Sequence, residues 1–298
     1  MKAYHDILQN VLDNGTVQKN RTGIDTLMVP GLIFKHNMAE GFPAVTTKKL
    51  AFRSVISELI CFIRGTTSAA GFRELGSKIW DQNANENQAW LENPHRKGTD
   101  DLGRIYGAQW RSWVRSENKT QPGASLDQIK ALLDEIETNP TSRRLIVSAW
   151  RPDEFDQMAL PPCHYSFQVI IEQTSGTMHL LWNQRSVDTF LGLPFNIASY
   201  AALLEILASI TGYIPGTLTG FLADVHIYEN HLDQVKEQLT RKPYPLPKLD
   251  IDFSWVGDTE DTKGGNPDTL KVLEGLVPED FRLLNYEHHP AIKAPMAV

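Results

Sequence analysis

Hydrophobic residues recur at helical spacing in four segments of the chain and at strand spacing in three others. The predicted helices are Tyr4–Asn14, Arg53–Arg64, Leu126–Thr138 and Ile197–Thr211. The predicted strands are Arg144–Trp150, Tyr165–Glu172 and Met178–Asn183. Residues 173–176 are predicted to form a hairpin loop between the last two strands, and Gly212 to cap the last helix. Because helices and strands alternate without a strict βαβ rhythm, the pattern favours an α/β or α+β fold with a large mixed sheet flanked by helices.

No break in composition divides the chain. It contains no internal repeat and no Gly/Ser-rich linker, and two polar stretches, 83–103 and 257–268, are predicted to be loops too short for domain boundaries. We therefore expect one domain, residues 1–298. The longest apolar stretch, Ile197–Ile210, contains Glu205 and is shorter than the ~20 residues that a membrane span needs. It is predicted to be a buried helix.

Composition and charge exclude some classes of function but do not identify one. With 41% hydrophobic and 22% charged residues the chain is ordinary for a globular protein. A formal net charge of −7 argues against a broad nucleic-acid surface, although a few arginines can still hold a small anionic substrate. The two cysteines, Cys61 and Cys163, make no disulfide framework and no secretory signal is seen, so a cytoplasmic location is expected. Cys61 lies in an apolar helix and is predicted to be a core residue.

Cys163 stands directly before a predicted strand and follows Pro161 and Pro162. Because the prolines fix the backbone and cannot extend a sheet ladder, the thiol is presented at the strand entrance. A cysteine attacks as the thiolate, so this setting indicates a nucleophile if a positive group or a hydrogen-bond donor lies nearby. The alternative is a small buried hydrophobic residue. His164 is the adjacent base, but consecutive strand residues point to opposite faces, which weakens a Cys/His pairing.

Four arginines occupy positions where an ordinary surface arginine is less expected. Arg143 and Arg144 open an apolar strand, Arg185 precedes Ser186 after another strand, and Arg21 lies in a turn-like segment. Guanidinium groups bind phosphate oxygens in a bidentate manner, and a serine hydroxyl adds a further donor. Each arginine taken singly is also open to a surface or salt-bridged role. An anion site therefore depends on whether the fold brings them together.

Glu58 is a carboxylate on the otherwise apolar helical run Val55–Ile63. A lone buried carboxylate is unfavourable unless it has a partner, so Glu58 is either functional or paired. Loss of solvent at such a position raises the pKa of a carboxyl toward neutrality, which suits proton transfer.

Motifs spread along the chain closely resemble those of the thymidylate synthases. They are Arg21-Thr22-Gly23, Phe42-Pro43 with Thr46-Thr47-Lys48, Ser142-Arg143-Arg144, Leu160-Pro161-Pro162-Cys163-His164, Gln184-Arg185-Ser186-Val187-Asp188, the segment Phe190–Tyr200, His226-Ile227-Tyr228 and Ile292-Lys293-Ala294-Pro295. They occur in the family's order from the first turn to the last residues, so the resemblance covers essentially the whole chain.

The resemblance implies a methyltransferase of dTMP biosynthesis that converts dUMP to dTMP. The co-substrate 5,10-methylenetetrahydrofolate would supply both the transferred carbon and the hydride, and no metal is expected. The resemblance also implies an α/β homodimer packed sheet against sheet, in which each active site borrows arginines from the other subunit. Neither a membrane nor a nucleic acid is expected as a main partner.

The resemblance further implies roles for individual residues. Catalysis is expected from Cys163, which would add to carbon 6 of the pyrimidine, and from Glu58, Tyr106 and Arg185. The expected nucleotide contacts are Arg21, Arg185, Ser186, Gln184, Asn196, His226 and Tyr228, with Arg143 and Arg144 from the other subunit. The expected folate contacts are Lys48, Trp80, Asn83, Asp188, Gly192 and Ala297.

Some of these positions have a simpler structural interpretation. Asn196 would select uracil because its amide offers both a donor and an acceptor, but it also suits the N-cap of the predicted helix that follows. His226 and Tyr228, two residues apart on one strand face, would bond the ribose hydroxyl or form an ordinary half-buried aromatic pair. Lys48 would meet the glutamate tail of the folate or be a solvated lysine.

Departures from the family pattern gather on the folate side. Asn83 stands where a second Trp is common, Cys61 where an aromatic residue is common, Val187 in place of Cys and Ala223 in place of Gly. They keep open a dUMP hydroxymethylase, in which water rather than hydride captures the exocyclic methylene intermediate. A catalytically silent or RNA-binding protein on the same scaffold is a third reading, which the intact Cys163 and the acidic charge disfavour.

Overall fold

The computed structural model describes residues 1–20, 23–114, 124–258 and 268–295. The helices are α1 Lys2–Asn14, α2 Phe52–Ile63, α3 Ala69–Glu74, α4 Asp81–Asn85, α5 Gln88–Leu91, α6 Tyr106–Arg111, α7 Gln128–Thr138, α8 Gly192–Thr211, α9 Leu232–Thr240 and α10 Thr269–Gly275. The strands are β1 Thr16–Gln18, β2 Thr26–Asn37, β3 Trp113–Val114, β4 Ser125–Leu126, β5 Ile146–Ser148, β6 His164–Glu172, β7 Thr177–Asp188, β8 Ile214–Tyr228, β9 Lys248–Ile251 and β10 Phe281–Leu284.

The main sheet has six strands in the order β1-β2-β8-β7-β6-β5. Strands β6 and β7 form the predicted antiparallel hairpin, whereas β7 and β8 run parallel. A parallel pair needs a crossover connection, and α8 supplies it between the ends of β7 and β8. The large mixed sheet flanked by helices is therefore confirmed.

Helix α8 is the central helix of the core. It is apolar on nearly all sides and packs against the sheet face that carries Phe167 and Trp182, both fully buried. By length and composition it would pass as a membrane span, but 72% of its most apolar window is buried inside the fold, as in the core helix of a globular protein. Gly212 ends it in the left-handed conformation with φ of 77°, as the sequence predicts.

The opposite face of the sheet carries large hydrophobic side chains that this chain leaves uncovered. Ile33 pairs with Phe221, which lies across from Asn183 of β7, and Ile146 and Ile170 fall on the same face by the register of β5, β6 and β7. Ile33 is 64% exposed, and the other three apolar residues are exposed as well. An uncovered apolar face of this extent is typical of a protein interface.

Several boundaries differ from the sequence prediction. Helix α8 begins at Gly192, five residues earlier than expected, because Pro194 is tolerated in a first turn and Asp188 accepts hydrogen bonds from the backbone N–H groups of Phe190 and Leu191. The N-cap interpretation of Asn196 is therefore wrong, since Asn196 lies inside the helix.

The polar stretch 83–103 and β5 also differ from expectation. Strand β5 is only three residues long. Residues 83–103 are not a loop throughout, since they include the end of α4 and all of α5. Asp100 in this stretch accepts from the Arg73 guanidinium at 2.6 Å and from the Asn85 amide at 2.8 Å, which ties the stretch to α3 and α4. Most of the predicted loop 257–268 lies outside the described residues.

Candidate active site

Cys163 lies immediately before β6, at the strand entrance that its two prolines predict. Its backbone N–H donates to the Tyr106 hydroxyl at 2.7 Å, and its carbonyl accepts from the backbone N–H of Arg185 at 2.9 Å. Tyr106 is buried and stacks on Phe62 with ring centroids 4.6 Å apart. The turn that carries the thiol is thus held from α6 on one side and from β7 on the other.

The Arg185 guanidinium is bound to the same turn. Its Nε donates to the Pro162 carbonyl at 2.9 Å and its Nη2 to the Pro161 carbonyl at 3.0 Å, while its Cζ lies 5.6 Å from the Trp150 ring centroid. A permanent positive charge is therefore fixed beside the segment that presents Cys163.

His164 is directed away from the thiol, as the strand alternation predicts. Its Nδ1 lies 2.9 Å from the Tyr200 hydroxyl, and its ring stacks on Tyr106 at 4.5 Å. Burial lowers the pKa of His164 to about 3, so the ring is neutral at physiological pH. His164 is a packing residue of the core rather than a base for Cys163.

Glu58 is partnered by the indole of Trp80. The Trp80 Nε1–H donates to Glu58 Oε1 at 2.9 Å, and Trp80 is buried against Phe62 and Tyr106. Burial raises the pKa of Glu58 to about 7, although the Trp80 hydrogen bond opposes that rise. The paired alternative for Glu58 is therefore confirmed, since the carboxyl has a partner. A pKa of about 7 is also suited to proton transfer, and a catalytic role for Glu58 stays a prediction.

Gln184 and Asn196 form a fixed pair of amides. Gln184 Nε2 donates to Asn196 Oδ1 and to the Ser186 carbonyl, each at 3.0 Å, while Trp182 Nε1–H donates to Gln184 Oε1 at 3.1 Å. Because Trp182 fixes which end of the Gln184 amide is the acceptor, the donor end faces Asn196. Trp182 is not among the predicted site residues, although its place two residues before Gln184 on the same strand face is a signal for it.

His226 and Tyr228 lie together at the end of β8. Their ring centroids are 5.1 Å apart, and His226 Nδ1 lies 2.8 Å from an Asp224 carboxylate oxygen. Asp224 was not anticipated, although the same two-residue spacing places it on the face of His226 and Tyr228. Asp188 is the residue opposite His226 in the parallel β7–β8 pair, so a predicted folate contact and a predicted nucleotide contact lie side by side at these strand ends.

The residues predicted to contact the folate are held in a less uniform way than those predicted to contact the nucleotide. Lys48 is buried and directed inward, where its Nζ donates to the Phe190 carbonyl and lies 3.5 Å from the Phe190 ring centroid. Burial lowers the pKa of Lys48 to about 7, although Asp188 opposes the change. The alternative of a solvated lysine is wrong. Asn83 is half-buried in α4, and Gly192 opens α8.

Arg143 and Arg144 are not gathered around Cys163 within one chain. Arg143 and Arg144 are exposed and precede β5, whose register with β6 places them about 20 Å from Cys163 at ~3.3 Å per residue. Arg21 and Ala297 lie outside the described residues. In the part of the chain that the structure describes, no group of three or more His, Cys, Asp and Glu side chains is arranged to hold a metal ion.

These features are those of an α/β enzyme. Its candidate site contains a cysteine thiol at a strand entrance, a carboxyl with a pKa of about 7 and a pair of amides held by hydrogen bonds. The chain belongs to the thymidylate synthase family, since the family model described as Thymidylate synthase matches residues 2–298. Relatives named Thymidylate synthase include those of Pseudomonas syringae pv. tomato and Pseudomonas putida, each 43% identical over 327 positions. That of Bordetella parapertussis is 42% identical over 332. Each comparison covers 100% of this chain and 100% of the relative. The hydroxymethylase alternative receives no support from these relatives.

Proposed function

We propose that the protein is a thymidylate synthase that converts dUMP to dTMP with 5,10-methylenetetrahydrofolate. Membership of the family over residues 2–298 supports this activity. The observation that carries it is the Cys163 turn, which Tyr106 and Arg185 hold from opposite sides. The reduced folate would supply the transferred carbon and the hydride and leave as dihydrofolate.

The chemistry begins with addition of the Cys163 thiolate to carbon 6 of the uracil ring. The sulfur–carbon bond forms as the electrons of the carbon 5–carbon 6 double bond move toward carbonyl 4, and carbon 5 becomes nucleophilic. Arg185 favours the thiolate that this step needs. Glu58, with its pKa about 7, relays protons to and from the ring. Carbon 5 then forms a bond to the methylene carbon of the folate. Loss of the carbon 5 proton expels tetrahydrofolate and leaves an exocyclic methylene group, to which the hydride of the folate adds as the Cys163 sulfur–carbon bond breaks.

Asn196 selects the pyrimidine through its amide. The uracil edge presents the carbonyl 4 acceptor and the imide N–H donor, and the Asn196 Nδ2–H and Oδ1 match them. Oδ1 already accepts one hydrogen bond from Gln184, and a carbonyl oxygen has a second lone pair for the imide. His226 and Tyr228 bind the ribose hydroxyl.

The phosphate site needs arginines from two chains. Arg21, Arg185 and Ser186 bind the phosphate from one subunit, and Arg143 and Arg144 come from a second copy of this chain. The exposure of Arg143 and Arg144, about 20 Å from their own Cys163 by strand register, supports this division.

The homodimer packs through the uncovered sheet face of Ile33, Phe221, Ile146 and Ile170. Mixing Cys163→Ser chains with chains carrying Arg143→Glu and Arg144→Glu tests it. In a mixed dimer one site has both lesions and the other has none, so activity returns although each parent is inactive. No recovery in mixtures whose dimers have exchanged subunits would contradict the shared site.

The folate site is built from Trp80, Asn83, Asp188, Gly192, Lys48 and Ala297. The residues fit a pterin, because Asp188 Oδ1 is held by backbone N–H groups and the carboxylate can accept from the amide edge of the ring. Lys48 has to turn outward from Phe190 to meet a glutamate tail. We also propose that residues 1–298 form a single domain and that the protein is cytoplasmic.

Product identification tests the proposed function. The protein is incubated with dUMP and methylenetetrahydrofolate. Dihydrofolate is followed by absorbance, and the nucleotide product is identified by mass spectrometry. Formation of dTMP with dihydrofolate is expected. Hydroxymethyl-dUMP with tetrahydrofolate, or no nucleotide product, would contradict the proposal.

A further inference from the structure

The chain segment 285–295, here called the C-terminal strap, crosses the loop before α2. Tyr286 Oη donates to the Val45 carbonyl at 2.6 Å and accepts from the Leu50 backbone N–H at 3.0 Å. The His289 backbone N–H donates to the Thr46 carbonyl at 2.8 Å. These bonds hold the start of the strap over the loop that carries Lys48.

The far end of the strap is held by His231. The His231 Nε2 lies 2.7 Å from the Pro295 carbonyl oxygen, and the ring is fully buried. A carbonyl only accepts hydrogen bonds, so Nε2 must carry the proton. His231 Nδ1 is also buried and has no hydrogen-bond partner among the described residues. The Pro295 carbonyl is therefore the hydrogen-bond partner that the described residues give to the His231 ring.

The neighbours of His231 belong to both sides of the active site. Its ring lies 5.6 Å from the Tyr228 ring and 5.6 Å from the Phe190 ring. Phe190 is the residue whose carbonyl receives the Lys48 ammonium. His231 therefore lies between a nucleotide residue and the folate side, and it binds the strap at that point.

We infer that His231 is a positioning residue: its Nε2–H fixes the end of the C-terminal strap beside the folate side of the active site. The structural part of this inference stands on the Pro295 contact alone. Its kinetic consequence rests on the proposed function. The folate side is represented at this point by Phe190, which contacts both His231 and Lys48.

Two substitutions separate the hydrogen bond from the packing. His231→Phe keeps a ring but removes the donor, whereas His231→Gln offers an amide N–H at about the reach of Nε2. Hydrogen–deuterium exchange of full-length protein is expected to be about tenfold faster across the strap in His231→Phe and close to the parent in His231→Gln. With the same pair, KM for methylenetetrahydrofolate rises about tenfold in His231→Phe, while the affinity for dUMP changes less than about twofold.

Two results would overturn the inference. One is unchanged strap exchange in His231→Phe, and the other is an equal acceleration in both variants, which would mean that only ring packing matters. If His231→Phe does not fold, NMR of the parent protein decides instead. The ¹⁵N chemical shifts of the His231 ring show which nitrogen carries the proton, and a proton on Nδ1 would contradict the hydrogen bond to Pro295. Hydrogen–deuterium exchange of the strap and binding of dUMP can both be measured without turnover. If the parent protein makes no dTMP, the proposed function is rejected, but the role of His231 in holding the strap can still be tested.

Discussion

The proposed nucleotide side and the proposed folate side of the active site differ in how far the contacts within one chain already hold their side chains in place. On the nucleotide side Cys163, Gln184 and Asn196 are each held by hydrogen bonds to their neighbours. On the folate side Lys48 is turned into the protein and bound to Phe190. Side chains already fixed in a productive geometry lower the cost of reaching the transition state. We therefore expect changes on the nucleotide side to act on chemistry or base choice, and changes on the folate side to act mainly on KM for folate.

The largest effect is expected from Cys163→Ser. A serine hydroxyl is a far weaker nucleophile than a thiolate, so kcat should fall by more than about 10³-fold. The affinity for dUMP should change only a few-fold, because the base and phosphate contacts lie elsewhere. Steady-state kinetics and calorimetric titration with dUMP measure the two quantities. Turnover within a few-fold of the parent would remove the covalent mechanism.

Glu58→Gln is expected to lower kcat by about 10²- to 10³-fold, because an amide cannot relay protons. The parent rate should show a pKa near 7 that the variant lacks. In the folded protein Glu58 stays protonated up to about pH 7. In the unfolded chain it loses its proton near the ordinary pKa of a glutamate side chain. The parent's free energy of unfolding should therefore fall, relative to Glu58→Gln, as the pH rises through that window.

Trp80→Phe is the matched control for Glu58. The indole N–H stabilises the ionised carboxyl, so its removal should move the kinetic pKa upward. A downward shift would mean that Glu58 is not the group that titrates.

Asn196→Asp is expected to favour dCMP over dUMP by about tenfold or more relative to the parent, since a carboxylate cannot donate to carbonyl 4 of uracil. It also places a carboxylate against the donor end of Gln184, which remains satisfied. Competition kinetics with both nucleotides measure the discrimination. An unchanged ratio would contradict the role of Asn196 in base selection.

Lys48→Met tests the folate side and should have the smallest effect. We expect KM for a folate with a glutamate tail to rise up to about tenfold, with kcat and dUMP affinity near the parent values. A fall in kcat without a change in KM would mean that the two sides do not differ as described. Folate saturation curves at saturating dUMP distinguish these outcomes.

Local sequence signals predicted much of the fold and part of the site. The hairpin of β6 and β7, the buried α8 with its Gly212 cap and the thiol at a strand entrance all follow from spacing, prolines and glycine. The start of α8 did not, because it depends on backbone groups bound by Asp188. The family motifs supplied the residue roles that spacing alone left open.

Contacts between distant segments were beyond the sequence. His231 holds a carbonyl 64 residues away, and no local pattern joins the two residues. Trp182 with Gln184 and Asp224 with His226 differ from that contact, because each pair lies two residues apart on one strand and its spacing is visible in the sequence. The inward direction of Lys48 depends on burial beside Phe190, which a motif does not encode. Such features follow from tertiary packing, and they appear only when the elements are assembled.

The central claim is that the Cys163 sulfur adds to carbon 6 of dUMP, and a stalled adduct tests it most directly. 5-Fluoro-dUMP carries fluorine where the carbon 5 proton must leave, so the covalent complex should accumulate with methylenetetrahydrofolate. Peptide mass spectrometry is then expected to find the nucleotide and the folate on the peptide of Cys163, with no adduct in Cys163→Ser. An adduct on another residue, or none in a protein that turns dUMP into dTMP, would contradict the account.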